Sequence, residues 1–127
     1  MSVKCEIFVK PVYVCVRCTG TCTSLSDLTQ VFLTAINVAQ EHQRFKVLID
    51  ANGVKGQLST LDRYEGASFL SEQNISRLVR IRAVAIAGPE PLIDPDRFGE
   101  TVARNRGVNG RVFTDLDEAI MWLTSTE

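Results

Sequence analysis

The sequence predicts an α/β fold: a mostly parallel five-stranded sheet with an antiparallel N-terminal edge strand and about four helices. Three observations lead there. Short β-rich runs alternate with longer amphipathic runs, which is the pattern of strand-helix-strand units. The interior runs Val47-Leu48-Ile49 and Ala83-Val84-Ala85-Ile86-Ala87 show no polar alternation, as expected of strands covered on both faces. Only two residues, Lys10-Pro11, separate the first two runs, which leaves room for a hairpin but for no crossover helix.

The first run, residues 4–9, sets Cys5, Ile7 and Val9 against Lys4, Glu6 and Phe8, a pattern suited to a sheet edge. The second, residues 12–18, sets Val12, Val14 and Val16 against Tyr13, Cys15 and Arg17. Gly20 is expected to break the chain, and Ser24-Leu25-Ser26-Asp27 is a capping box. Leu25, Leu28, Phe32, Ala35, Ile36 and Ala39 then recur at helical spacing, so the first helix covers 25 to about 42. Val47-Leu48-Ile49 ends on Asp50 and is read as entering a loop through Asn52, Gly53 and Gly56. Ser59-Thr60-Leu61-Asp62 caps a second helix over 60–77, with Leu61, Tyr64, Ser68, Ile75 and Leu78 assigned to its inner side. Gly66 and Ser71 interrupt that stripe.

The alanines of residues 83–87 suggest a helix packed close over that strand. Gly88-Pro89-Glu90-Pro91-Leu92-Ile93 holds two prolines and a glycine and reads as irregular chain. Asp94-Pro95 supplies an N-cap with proline at N1, starting a helix through Phe98, Val102 and Arg104 that Gly107 ends. Arg111-Val112-Phe113 is a short last strand, with Phe113 expected in the core. Thr114-Asp115-Leu116-Asp117 caps a final helix carrying Leu116, Ala119, Ile120 and Leu123 inward.

A chain of 127 residues without repeat or linker is read as one domain, 1–127, large enough for its own core. Its 14 basic and 15 acidic residues give a net charge of -1, which argues against nucleic acid as a partner. No run reaches the roughly 18 consecutive apolar residues of a membrane-spanning helix. The N-terminal Met1-Ser2-Val3-Lys4-Cys5-Glu6 lacks the apolar stretch of a signal peptide, so a cytoplasmic protein with reduced cysteines is expected.

Cys15-Val16-Arg17-Cys18 is formally a C-x-x-C, but on a strand residues 15 and 18 point to opposite faces. No nearby histidine completes a tetrahedral site, so no metal or cofactor is expected and the thiols are read as core residues. No catalytic set is visible either: there is no G-x-S-x-G, and His42 has no nucleophile beside it in sequence. Gly88-Pro89-Glu90-Pro91 lacks phosphate-loop spacing, and its prolines remove amide donors.

The strand end at Asp50, the Ala83-to-Gly88 strand-and-turn, and Val112-Phe113-Thr114-Asp115-Leu116-Asp117-Glu118-Ala119 with Trp122-Leu123 resemble the STAS-type fold. That fold is shared by bacterial anti-sigma-factor antagonists and the cytoplasmic domains of sulphate transporters. The likeness runs from about Lys4 to Leu123 and is nearest the SpoIIAA-like branch, which shares features with lipid-carrier domains. It implies a non-enzymatic regulatory module. In the antagonists a serine at the start of the second helix is phosphorylated, and Ser59 and Thr60 are the counterparts here. Added negative charge suits a helix N-terminus. The antagonist motif has an acid before that serine and a glycine after it, whereas this chain reads Gln57-Leu58-Ser59-Thr60-Leu61, so capping is the favoured role.

Two functions follow. One is a protein-interaction module using the face around Asp50, Asn52 and Gly53 with Ser59 and Thr60, joined by Gly88 and Glu90 at the next strand end. Turn formation by Asp, Asn and Gly accounts for the same residues and is the favoured reading of them. The other is a carrier or sensor of a small apolar, lipid-like ligand held between the second helix and the sheet. A homodimer is compatible with either.

Overall fold

The computed structural model describes residues 2–78, 80–93 and 109–125. Its strands are β1 (Val3–Val9), β2 (Val14–Thr21), β3 (Lys46–Lys55), β4 (Ala83–Ala87) and β5 (Asn109–Phe113). Three helices lie among the described residues: α1 (Leu25–Glu41), α2 (Thr60–Ile75) and α3 (Leu116–Ser125). The helix expected from Asp94-Pro95 to Gly107 lies outside them. The sheet runs β1-β2-β3-β4-β5, with β1 antiparallel to β2 and every other neighbour parallel. This is the expected mostly parallel five-stranded sheet with its antiparallel edge strand.

The alternation of β2 sorts the core into two layers. Val14, Val16 and Cys18 face α1 and α2, packing with Phe32, Ile36 and Leu70. Cys15 faces the opposite way, into a smaller cluster with Leu48, Ala83, Ala85, Ala87, Ala119 and Leu123. Residues 15 and 18 therefore do point to opposite sides of the sheet. The three alanines of β4 leave room for α3 to sit close, with Ala119 and Leu123 fully enclosed. Phe113 is only half-buried, its ring centroid 5.9 Å from that of Trp122. Among the described residues β5 is the last strand of the sheet, so Phe113 packs against the smaller cluster from its edge rather than inside the core as expected.

The caps follow the sequence, with one shift. Ser24 Oγ accepts from the Asp27 amide at 3.2 Å, and Asp27 reaches back to the Thr23 amide at 3.1 Å. Ser59 Oγ accepts from the Asp62 amide at 3.0 Å. In the last helix Asp115 rather than Thr114 takes this role, accepting from the Glu118 amide at 3.0 Å. Each satisfies an amide that the first helical turn leaves without a partner.

Three expectations are corrected. β2 does not stop before Gly20 but runs through it to Thr21. Gly20 adopts φ +113°, and a Cβ there would lie 2.1 Å from the Ser2 carbonyl oxygen, so glycine is what lets the strand continue against β1. β3 does not stop at Asp50 but continues to Lys55. The third correction concerns α2. Its buried residues are Gly66, Ala67, Leu70, Ser71 and Asn74, while Leu61, Tyr64, Ile75 and Leu78 are exposed. The residues read as interruptions are the inner face. A Cβ on Gly66 would come within 2.3 Å of Leu28 Cδ2, so small residues are what allow α2 to press onto α1. Asn74 completes the docking, its side chain exchanging two hydrogen bonds with the Ile81 backbone at 2.6 and 2.8 Å.

Candidate functional site

The continuation of β3 past Asp50 depends on one extra residue. Arg17 pairs with Asp50 and Thr19 with Gly53, so β3 advances three residues while β2 advances two. Ala51 and Asn52 together oppose Cys18, which makes this a β-bulge of a kind uncommon between parallel strands. The bulge shifts the side-chain alternation by one. Val47, Ile49 and Ala51 face the α1–α2 layer, and beyond the bulge it is Val54 that does so.

Asp50 is only 6% exposed and faces the α3 side. Its Oδ1 accepts from the Asn52 backbone amide at 3.2 Å and from Asn52 Nδ2 at 2.9 Å. Its Oδ2 faces Arg17 Nε at 3.4 Å. Arg17 also lies over the Phe8 ring, 4.6 Å from its centroid, so one guanidinium bridges the edge strand and the carboxylate. The extra residue of a bulge leaves ladder groups without partners, and Asp50 supplies one acceptor locally. Its role is to hold the bulge, with Arg17 balancing its charge.

Around Asp50 lies a groove of about 250 Å³, walled by Phe8, Tyr13, Arg17, Leu116 and Ile120. A separate apolar cavity of about 130 Å³ sits on the other side of the sheet, against α1 and α2. Among the described residues it is lined by Phe32, Ile49, Ala67, Leu70, Val84 and Leu92, with others.

The residues singled out in the sequence fall into two places. Asn52 and Gly53 sit beside Asp50 in the bulge, where Gly53 lies against Thr19 and the Cys18 carbonyl. Gly88 is buried beside Ala51 and donates its amide to the Phe113 carbonyl at 3.0 Å. Glu90 is exposed beyond it. Ser59 and Thr60 are exposed at the start of α2. Because β3 runs five further residues after Asp50, the loop at 56–59 begins roughly 16 Å away along the strand. The structure therefore groups Asp50, Asn52, Gly53 and Gly88, and it sets Ser59 and Thr60 apart. Arg17 was not singled out, although its parallel pairing with Asp50 makes it the natural counter-charge. Among the described residues no cluster of three metal-ligating side chains occurs, and no helix is long and apolar enough to cross a membrane.

Neither family models nor curated protein sequences match the chain. Solved structures do. An anti-sigma factor antagonist from Mycobacterium paratuberculosis superposes with a TM-score of 0.59 at 13% identity, covering 97% of this chain and 95% of that one. An uncharacterised protein of the DUF3478 family with a SpoIIAA-like fold, from Shewanella loihica PV-4, gives a TM-score of 0.54 at 20% identity, covering 96% and 94%. This chain has the SpoIIAA-like fold. At such identities the likeness is one of architecture, and site residues have to be argued from this chain alone.

Three thiols are buried in this SpoIIAA-like domain, and burial pushes each of them up. Asp50 adds to the effect at Cys15, and the Cys5 sulfur adds to it at Cys18. Cys22 is pushed up to about 11 by burial, then by Asp27 and Asp62. An unfolded thiol ionises near pH 8.5, whereas the folded Cys22 holds its proton to higher pH. The stability this gives is fully present below about pH 8.5 and is lost as pH rises toward 11. Urea midpoints should therefore hold to about pH 8.5 and then decline, with a shallower decline in Cys22→Ala. The bulge makes a second prediction. Asp50→Ala should lower stability by roughly 1–3 kcal/mol in urea unfolding, since it removes a charged acceptor from a buried turn of chain.

Proposed function

We propose that the protein is a non-catalytic regulatory module that binds a protein partner through the corner where β3 hands over to α2. The observation that carries this reading is the outer face of α2. Leu61 is 62% exposed, Tyr64 39% and Ile75 57%, and Leu78, just past the helix, 98%. Scattered exposed apolar residues are ordinary, but a helix whose apolar spacing is turned to solvent is a docking feature. The polar corner of Gln57, Ser59 and Thr60 adjoins its N-terminal end. The SpoIIAA-like fold, shared with an anti-sigma factor antagonist, supports a protein partner by analogy of architecture.

Ser59 and Thr60 are proposed as the regulatory position on this face. Both are exposed, and a phosphate there would add about -1.5 to -2 charges at a helix N-terminus. It would also displace Ser59 Oγ from the Asp62 amide and set negative charge beside Leu61 and Tyr64. Peptide mapping of protein recovered from growing cells shows whether either residue is modified. Asp50, Asn52 and Gly53, with Gly88 and Glu90 nearby, are proposed as support for this corner rather than as the surface itself.

A second reading has one observation in its favour, the apolar cavity between α2 and the sheet. Its volume of about 130 Å³ is close to that of an engineered cavity of about 150 Å³ that accepts benzene, so it suits a small apolar molecule rather than an acyl chain.

The two readings make separate predictions. With Leu61→Glu and Leu78→Ser together, the unfolding free energy in urea should stay within about 0.5 kcal/mol of the parent while partner co-purification is lost. Met121→Glu, on the exposed face of α3, should leave co-purification intact; equal loss in both variants would sink the proposal. For the cavity, native mass spectrometry of freshly purified protein should show an added mass if a ligand is carried. Bare protein from several growth conditions would count against it.

A further inference from the structure

The four cysteines are not equivalent. Cys15 lies on the α3 side of the sheet, while Cys5, Cys18 and Cys22 lie on the α1–α2 side. Two of these face each other. Cys5 and Cys18 are direct partners in the antiparallel register of β1 and β2, and their sulfurs are 3.8 Å apart. Directly opposed residues of an antiparallel pair have Cα atoms about 4.5–5.5 Å apart, inside the roughly 4.4–6.8 Å that a disulfide spans. Both side chains project to one side of the sheet, so small side-chain rotations would bring the sulfurs to the bonding distance of about 2.05 Å.

Access and position add to this geometry. Cys5 is half-buried at the sheet edge, whereas Cys18 is enclosed. A reagent therefore meets Cys5 first, with Cys18 behind it as the resolving thiol. Cys18 is also the β2 residue that two β3 residues oppose at the bulge, next to Arg17 and its contact with Asp50. A bond there would tie the edge strand to the most irregular point of the sheet.

We infer that Cys5 and Cys18 form a reversible redox pair that closes to a cross-strand disulfide on exchange with a low-molecular-weight disulfide. In the first step the Cys5 thiol gives up its proton and its sulfur attacks one sulfur of the small disulfide. The S–S bond of the reagent breaks, and the departing thiolate takes up a proton. In the second step the Cys18 thiol gives up its proton and attacks the Cys5 sulfur of the mixed disulfide. The second small thiolate leaves and is protonated. Two protein thiols are oxidised, and one small disulfide is reduced to two small thiols.

The test uses the folded protein and oxidised glutathione as the probe, at neutral pH without denaturant. Samples are quenched in acid, remaining thiols are alkylated, and peptides are mapped. The expected product is one disulfide joining residues 5 and 18, with the mass loss of two hydrogens, reversed by excess reduced dithiol. Cys18→Ala should instead accumulate a glutathione adduct on Cys5, because the resolving thiol is gone. The same oxidation in urea supplies a second readout that needs no variant: unfolding should scatter the pairings among the four thiols. A native protein whose thiols 5 and 18 both remain alkylatable at the plateau overturns the inference. So does a bridge through Cys22, or the same preference for the 5–18 bridge in urea as in buffer.

Discussion

The structure depends on one extra residue in β3. Without the bulge opposite Cys18, the alternation that buries Val47, Ile49 and Ala51 would turn Val54 away from the α1–α2 layer. With it, β3 stays paired to β2 through Lys55, and the Cys22 amide reaches the Lys55 carbonyl at 2.9 Å. The chain then turns at Gly56, whose φ of +137° brings its backbone where a Cβ would meet the Cys22 carbonyl oxygen. The position of α2, and so of every exposed residue on its outer face, follows from where that strand ends.

The bulge also explains what Asp50 is for. A buried carboxylate at the end of an apolar run resembles the start of an active site. Here its oxygens are occupied by Asn52 and Arg17. The acid serves the backbone, and Arg17 adds a counter-charge that also packs on Phe8. On the proposed reading, partner contact falls further along the strand, at the Ser59 corner. There the side chains are exposed, and their only described constraint is the cap to Asp62.

Much of this was legible in the sequence because the relevant signals are local. The Ser24 and Ser59 caps, the α1 stripe and the alanine strand β4 each declare themselves within a few residues. The errors have a common cause in that they depend on distant partners. Asp50-Ala51-Asn52-Gly53 has the composition of a loop, and only pairing with β2 makes it strand. The apolar spacing of Leu61, Tyr64 and Ile75 defines a helix face but not its direction. Gly66 reads as a defect until Leu28 of α1 is seen against it, and Ser71 until its burial is known. Facing thiols could not be found without the β1–β2 register, since C-x-x-C spacing drew attention to Cys15 instead.

The position of α2 rests on β3 continuing through the bulge, and backbone amide hydrogen exchange measured residue by residue tests that most directly. The amide of Lys55, whose backbone groups face β2, should be protected to a degree comparable with Val47 and Leu48, because β2 and β3 are still paired there. If exchange from Asn52 onward runs at the rate of the exposed loop at 56–59, the strand ends at Asp50. The bulge, the role given to that carboxylate and the placement of the α2 corner would then all be wrong.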